Sequence, residues 1–381
     1  MKKIKILLIL LMFPIFVNAK EVEKIDYEVT NVFINSSIDF VGSMHVEEAV
    51  VVKGSLNKFT REIDYRDVSL PEYKKGKINF SKSSIYNAKA VSLKKASSFK
   101  IKEKDIDFSL LEKANEDYKE KKIAKKGDSK IYTKKSNDNG VVVSVYNPNE
   151  EGYIVYYFEY YIDQVVVLHE DVAELYYKFI PDNFDDIKNM KLQLVAPGDS
   201  SADEFKYYAH GSLLGKVSPI SERKDKKGNY LYRGLLANID NVKKGNGVSI
   251  RMTFNKDLVS MGQKLLNKSG EKALEKIIKV EEHKNKKSNN QRKINKIFNM
   301  MMNICSVLFM IGTIILSIMF LRKRKDISNI IILAYSILGL ILLLLDVIFV
   351  KNNLIIYILL GIIIIFVIFM SILKKTIEKN T

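Results

Sequence analysis

The sequence predicts a mainly β protein: an exported antiparallel β-sandwich, a short stalk helix, then three transmembrane α-helices. Three observations carry that expectation. Residues 21–257 hold many short β-branched and aromatic runs separated by turn-forming residues. Residues 1–19 have the form of a secretory signal. Residues 300–373 hold three long apolar runs almost back to back.

The signal comes first in the chain. Lys2, Lys3 and Lys5 form a basic start, Ile6 to Val17 an apolar middle, and Val17-Asn18-Ala19 a small-residue exit. Cleavage is expected between Ala19 and Lys20. The middle is shorter than the ~20 residues a membrane helix needs. An uncleaved signal anchor is the alternative, and in either case the next segment is exported. No Cys stands at the cleavage site, so lipoprotein anchoring is not expected.

The exported part is expected to cover residues 20–258. The chain has one Cys, Cys305, inside an apolar run, so the exported part cannot form a disulfide and depends on its core. Formal net charge is +17, mostly from Lys. A basic exported protein is drawn to anionic lipid or an anionic envelope polymer. The competing reading is a solvated Lys-rich surface encoded by an AT-rich bacterial gene.

Met44 to Val52 alternates well, with Met44, Val46, Glu48, Val50 and Val52 on one face. Val141–Tyr146, Tyr153–Ile162, Val165–Leu168, Met190–Val195, Asn229–Leu236 and Val248–Phe254 read as further strands. Turns are expected at Asn35-Ser36-Ser37, Asn139-Gly140, Asn147-Pro148-Asn149, Pro197-Gly198-Asp199, Lys227-Gly228-Asn229 and Gly245-Asn246-Gly247, the last a hairpin turn. No helical pattern alternates with the strands, which disfavours a parallel α/β sheet. A charged insertion over about 100–137 interrupts the domain, and Leu110–Lys126 within it reads as a helix or a mobile segment.

Several of these segments share their order and spacing with one family. They are Gly42-Ser43-Met44-His45-Val46-Glu47-Glu48, Gly54-Ser55-Leu56-Asn57 and Phe59-Thr60-Arg61-Glu62-Ile63. The run from Gly152 to Tyr157 follows, then Val165 to Ile180 with His169-Glu170-Asp171 inside it. Ala209-His210-Gly211-Ser212-Leu213-Leu214-Gly215 and Arg251-Met252-Thr253-Phe254 complete the set. Over about Val22 to Glu282 the chain resembles the predicted-membrane-protein family catalogued as domain of unknown function 2207. The resemblance implies an extracytoplasmic β-rich domain on a membrane anchor, and supplies no catalytic residues. Three departures stand out. Relatives usually carry Trp in the segment matching Leu175-Tyr176-Tyr177, and Tyr177 stands in its place here. A buried Tyr there adds a hydroxyl that needs a partner. Relatives often have a sizeable cytoplasmic segment after the first membrane helix, where this chain has only Arg322 to Asp326, and a Gly-rich tail, which it lacks.

Chemistry is sparse. None of His45, His169, His210 and His283 pairs with another at metal-ligand spacing, so no metal site and no cofactor is expected. His169-Glu170-Asp171 is the densest titratable trio, but neighbours on an extended chain face opposite ways, so it reads first as a solvated loop. His210 and Ser212 are two residues apart, without a G-x-S-x-G elbow, and read first as a turn. The Tyr-rich strand Tyr153–Tyr161 reads as core or as a stacking platform for a sugar or peptide. No phosphate-binding glycine loop and no nucleic-acid motif is present.

The stalk and basic linker are expected over 259–299. Ser269 to Glu282 reads as a helix capped by Ser269, with a narrow stripe of Ala273, Leu274, Ile277 and Ile278. A polar basic patch follows: Lys284, Lys286, Lys287, Arg292, Lys293 and Lys296. Beside a membrane it would meet anionic head groups at about 1 kcal/mol per residue, and otherwise it is a solvated linker. Spans are expected at 300–321, 327–350 and 354–373, with a cytoplasmic loop at 322–326 and a cytoplasmic tail at 374–381. The loop and tail are basic, as the positive-inside rule asks, but the juxtamembrane patch and Lys351 balance them outside. The signal therefore decides the orientation. Asp346, the single carboxylate inside a span, lies near its outer end, within reach of water or Lys351.

The expected function is a multi-pass cell-membrane protein whose exported domain binds or supports something outside. Its partners would be membrane lipid and a protein or anionic envelope polymer, not nucleic acid. The alternatives are an accessory subunit of a membrane complex or, less favoured, a cell-surface enzyme using His169/Asp171 or His210/Ser212.

Overall fold

A computed structural model of the chain describes residues 27–65, 88–125, 127–220 and 223–321. It divides into two compact units, Met1–Glu282 and His283–Thr381.

The first unit is mainly β. Its strands are β1 (Tyr27–Ile38), β2 (Met44–Gly54), β3 (Leu56–Asp64), β4 (Val91–Ile101), β5 (Lys119–Glu120), β6 (Ile131–Ser136), β7 (Gly140–Asn149) and β8 (Tyr153–Ile162). Then come β9 (Val167–Leu168), β10 (Ala173–Ile180), β11 (Ile187–Ser201), β12 (Lys206–His210), β13 (Lys216–Ile220), β14 (Arg223–Lys224), β15 (Tyr230–Val242), β16 (Val248–Phe254) and β17 (Asn267–Lys268). They form three sheets. The largest runs β13-β15-β11-β1-β2-β8-β4, with β14 also on β15; the others run β12-β16-β10-β9-β17 and β3-β7-β6-β5.

One hydrophobic core joins all three, and the period-2 pattern places it. The large sheet contributes Val46, Val50, Tyr156, Phe158, Leu192 and Leu235. The second contributes Leu175, Tyr177, Ile250 and Met252, and the third Phe59, Ile63, Val143 and Val145. Glu48 lies on the same inward face as Val46 and Val50, and is buried. Arg61 on β3 meets it: Nε donates to Glu48 Oε1 at 2.8 Å, and Nη2 donates to the Phe179 carbonyl at 2.6 Å. Tyr160 adds a hydroxyl donation to Glu48 Oε2 at 3.2 Å. This buried pair therefore ties together strands of all three sheets. Tyr177 is also fully enclosed, and its hydroxyl finds the partner it needs in the Asp64 carbonyl, 2.8 Å away.

Several expectations change. The sheets are not wholly antiparallel, because β1 pairs with β11 in parallel, as do β5 with β6 and β17 with β9. Asn35-Ser36-Ser37 is not a turn but the end of β1, where cross-strand partners satisfy its polar groups. Ser36 Oγ donates to the His45 carbonyl and Asn35 Nδ2 to Glu47, both at 3.0 Å. Asn147-Pro148-Asn149 likewise ends β7. Pro197-Gly198-Asp199 sits inside β11 at a register shift between Val195 and Ser200, so it bends the strand rather than ending it. Gly245-Asn246-Gly247 is no hairpin turn, since β15 and β16 belong to different sheets. Residues 110–125 form no α-helix. Phe108–Leu111 is a 3-10 turn, and Leu110 and Leu111 bury against Phe33, Val51 and Tyr157 on the far face of the large sheet. The insertion is thus packed onto the domain by two Leu at its start.

The helix α1 (Leu274–Leu321) begins in the first unit. The linker expected over residues 283–299 is helical, and so is 300–321. Among the described residues no helix is long and apolar enough to cross a membrane. The expected spans 327–350 and 354–373, with Asp346, and the signal with Ala19 and Lys20, lie outside the described residues.

Candidate functional site: a buried charge network under the helix start

The most chemically loaded place in the first unit is the outer face of the five-stranded sheet. β10 and β16 pair antiparallel, with Tyr176 opposite Arg251 and Glu174 opposite Thr253. Their alternate residues enter the shared core, so Glu174, Tyr176 and Arg251 face the other way. β12 extends this face, placing Tyr208 beside Arg251 and His210 beside Ser249. The start of α1 covers it, where Ala273, just before the helix, and Ile277 bury against Tyr208 and Val280.

Charge is concentrated beneath that cover. The Arg251 side chain is 0% exposed, as is that of Glu174, and Glu281 on α1 is 2% exposed. Arg251 Nε donates to Glu174 Oε1 at 2.6 Å, and Nη1 donates to Glu281 Oε1 at 2.8 Å. The guanidinium also lies 4.7 Å from the Tyr176 ring centroid. Two carboxylates meet one guanidinium, and an imidazole faces the remaining oxygen of each. His169 Nε2 lies 2.8 Å from Glu174 Oε2, while its Nδ1 lies 2.7 Å from Ser269 Oγ. His210 Nε2 lies 3.1 Å from Glu281 Oε2, an ion-pair distance rather than an aligned hydrogen bond.

The electrostatics follow from this enclosure. Burial by itself would raise the Glu174 pKa, but the charge of Arg251 and the hydrogen bond from His169 outweigh it and hold the carboxyl below its usual range. Burial pushes the Tyr208 hydroxyl up to about 12, and the Glu281 carboxylate adds to the shift.

The trio His169-Glu170-Asp171 is split by this arrangement. It is not a solvated loop: His169 is buried. Asp171 accepts from the backbone N–H groups of Ala273 at 2.9 Å and Leu274 at 3.1 Å, and so caps α1 from a distant strand connection. Ser269, the cap expected from sequence, instead bonds His169 and Glu271. The Glu170 N–H donates to the Glu271 carbonyl at 3.0 Å. His210 and Ser212 are not brought together either. Ser212 Oγ donates to the Asp240 carbonyl at 2.8 Å and accepts from Leu214 N–H at 3.2 Å, as a turn residue does. The Tyr-rich strand β8 is internal to the large sheet and buries Tyr156, Tyr157 and Tyr160. Lys286, Lys287, Arg292, Lys293 and Lys296 are exposed along α1, and Lys284 is half-buried. Among the described residues no group of three or more His, Cys, Asp or Glu is placed to hold a metal ion.

The roles of Glu174, Arg251 and Glu281 emerge only with the fold. For Glu174 and Arg251 a signal is present: a charge at an alternate position inside a largely apolar strand asks for a buried partner. The partner, however, lies on another strand or on the helix.

The strands that build this site fall within residues 28–254, which match the family model described as the N-terminal domain of a predicted membrane protein, DUF2207. The chain belongs to that family. No curated protein matches it. Among solved structures, a Parabacteroides distasonis chain described as a candidate protease is 9% identical with a TM-score of 0.31, covering 61% of this chain and 41% of that one. A two-domain M1 zinc metallopeptidase, solved as a mutant bound to L-tryptophan, is 7% identical with a TM-score of 0.29, covering 60% of this chain and 43% of its own. This chain therefore spans less than half the length of either protein, and likeness at that level carries no argument about activity.

Proposed function

We propose that this DUF2207 protein is a membrane-anchored extracytoplasmic binding module. In this reading the three sheets form a β-sandwich, residues 1–19 export it, and the three apolar runs after Met300 anchor it with the C-terminus in the cytoplasm. The buried network has a structural role: it fixes the start of α1 to the sheet so that the domain presents its other surfaces. The observation that carries this is the Arg251–Glu281 pair beneath the Asp171 cap, which roots the helix in the domain by two independent polar attachments. Its ionisable members are engaged with one another and lie under the helix, an arrangement suited to holding and not to receiving a substrate. The membrane-protein family supports the anchor.

The test is crosslinking in intact cells. A photoreactive residue replaces Asn137 in the β6–β7 turn or Lys226 in the β14–β15 turn. The expected result is a discrete adduct with an envelope polymer or an envelope protein. Absence of any adduct from either position, with the domain folded and displayed, would sink the binding-module reading.

A further inference from the structure

The four-stranded sheet has a second face, turned away from the shared core. Thr60 on β3, Ser144 on β7 and Thr133 on β6 are direct cross-strand partners and make a row of hydroxyls. Thr60 Oγ1 and Ser144 Oγ are 2.9 Å apart. On one side of the row Lys58 pairs across to Tyr146, its Nζ 5.9 Å from the ring centroid. On the other side, Lys135 pairs across to Val142. Residues 122–124 close the groove and bring in Lys122. The resulting cavity is about 450 Å³.

Its charge pattern is one-sided. Three Lys line the groove and no carboxylate does. Nearby Lys121, Lys130 and Lys134 are each paired with an Asp or Glu. Among the described residues no ion pair involves Lys58, Lys122 or Lys135. Like charges around one concavity repel, and a bound anion relieves that repulsion. Ammonium groups act as point charges toward phosphate oxygens. The hydroxyl row can donate to phosphate or exchange hydrogen bonds with a polyol, and the Tyr146 face suits the carbon side of such a unit. The volume lies within the usual small-ligand range of about 300–1,000 Å³ and exceeds what one phosphate fills.

We propose that this groove binds a phosphodiester-linked polyol unit of the glycerol phosphate type. That chemistry has two sources, a soluble anionic polymer and the head group of an anionic lipid. The inference rests on the binding-module reading and names its ligand class.

The experiment is titration calorimetry on the full chain in nonionic detergent, with poly(glycerol phosphate) and glycerol 3-phosphate as probes. A parallel arm uses cosedimentation with phosphatidylglycerol and phosphatidylcholine vesicles. Three proteins are compared: wild type, K58Q/K122Q/K135Q, and a charge-matched control, K216Q/K224Q/K227Q, with Lys216 on β13, Lys224 on β14 and Lys227 in the turn before β15. The expected result is at least a tenfold loss of affinity in the groove variant and less than twofold in the control. The slope of log affinity against log salt should fall by about 2–3 in the groove variant, from roughly 0.7–0.9 for each of the three lost phosphate contacts. The same loss confined to phosphatidylglycerol vesicles would support the groove with lipid as the source. Equal losses in both variants, or no binding of any probe by wild type, would overturn the proposal. Wild-type binding that survives in the groove variant would overturn the groove and leave the module reading standing. An absence of adducts in cells would remove the module reading whatever the groove does.

Discussion

Arg251→Met is the perturbation that bears hardest on the buried network. Met keeps an apolar stem of similar reach but leaves Glu174 and Glu281 without their shared guanidinium, at 0% and 2% exposure. Removing one partner of a buried ion pair costs about 3–5 kcal/mol, because the remaining charge stays desolvated. For a unit of this size each kcal/mol shifts Tm by roughly 2–4 °C. Thermal unfolding of the full chain, followed by circular dichroism at pH 7, should therefore drop by about 6–20 °C. The pH dependence gives an independent check. In the wild type the Glu174 carboxyl is held below its usual range. Its contribution is thus fully present above the unfolded value, about 4.3, and is lost as pH falls through the lower folded value. In the variant Arg251 is gone, burial raises Glu174, and protonation relieves the strain as pH falls. The gap between the two proteins should narrow from pH 7 to pH 5. Replacing Glu174 and Glu281 by Leu as well should recover much of the loss, since well-packed apolar groups can replace a buried ion cluster. A Tm change under 2 °C, or a gap that widens toward pH 5, would refute the reasoning.

Four further outcomes follow from particular contacts. Asp171→Ala should cost about 1–2 kcal/mol and speed amide hydrogen exchange at Ala273 and Leu274, read by mass spectrometry. Tyr177→Phe should cost about 1 kcal/mol in chemical unfolding, the worth of its bond to the Asp64 carbonyl. Gly140→Ala should lower stability by about 1–3 kcal/mol in the same assay, because a Cβ there would fall 2.1 Å from the Ile63 carbonyl oxygen. Arg61→Met should cost about 3–5 kcal/mol by leaving Glu48 without its counter-charge in the main core, and Glu48→Gln should also destabilise, because the Arg61 guanidinium then stays buried without a carboxylate.

The strand pattern was legible in the sequence because alternation reports burial directly. Met44 to Val52 even placed Glu48 on the inward face, where it is found. Pairing was not legible. The parallel partnership of β1 and β11 joins segments more than 150 residues apart, and nothing local encodes it. Turn residues misled where neighbouring strands could satisfy them, as at Asn35 and Ser36, or where a bulge absorbed them, as at Pro197-Gly198. The network was hidden for the same reason. Arg251 and Glu174 sit on separate strands, His169 in the β9–β10 connection and Glu281 on the helix, so their convergence is a product of the fold. Residue spacing could mark Asp171 as acidic, but could not show that it caps a helix 102 residues later.

On the proposed topology the β domain is displayed outside the cell on an anchored C-terminus. With Cys305 replaced by Ser, single Cys residues at Asn137, exposed in the β6–β7 turn, and at Asp326, in the expected cytoplasmic loop, can be probed in intact cells with a membrane-impermeant thiol reagent. Labelling is expected at Asn137 in intact cells and at Asp326 only after the membrane is opened. Labelling at Asp326 but not Asn137 in intact cells would contradict it.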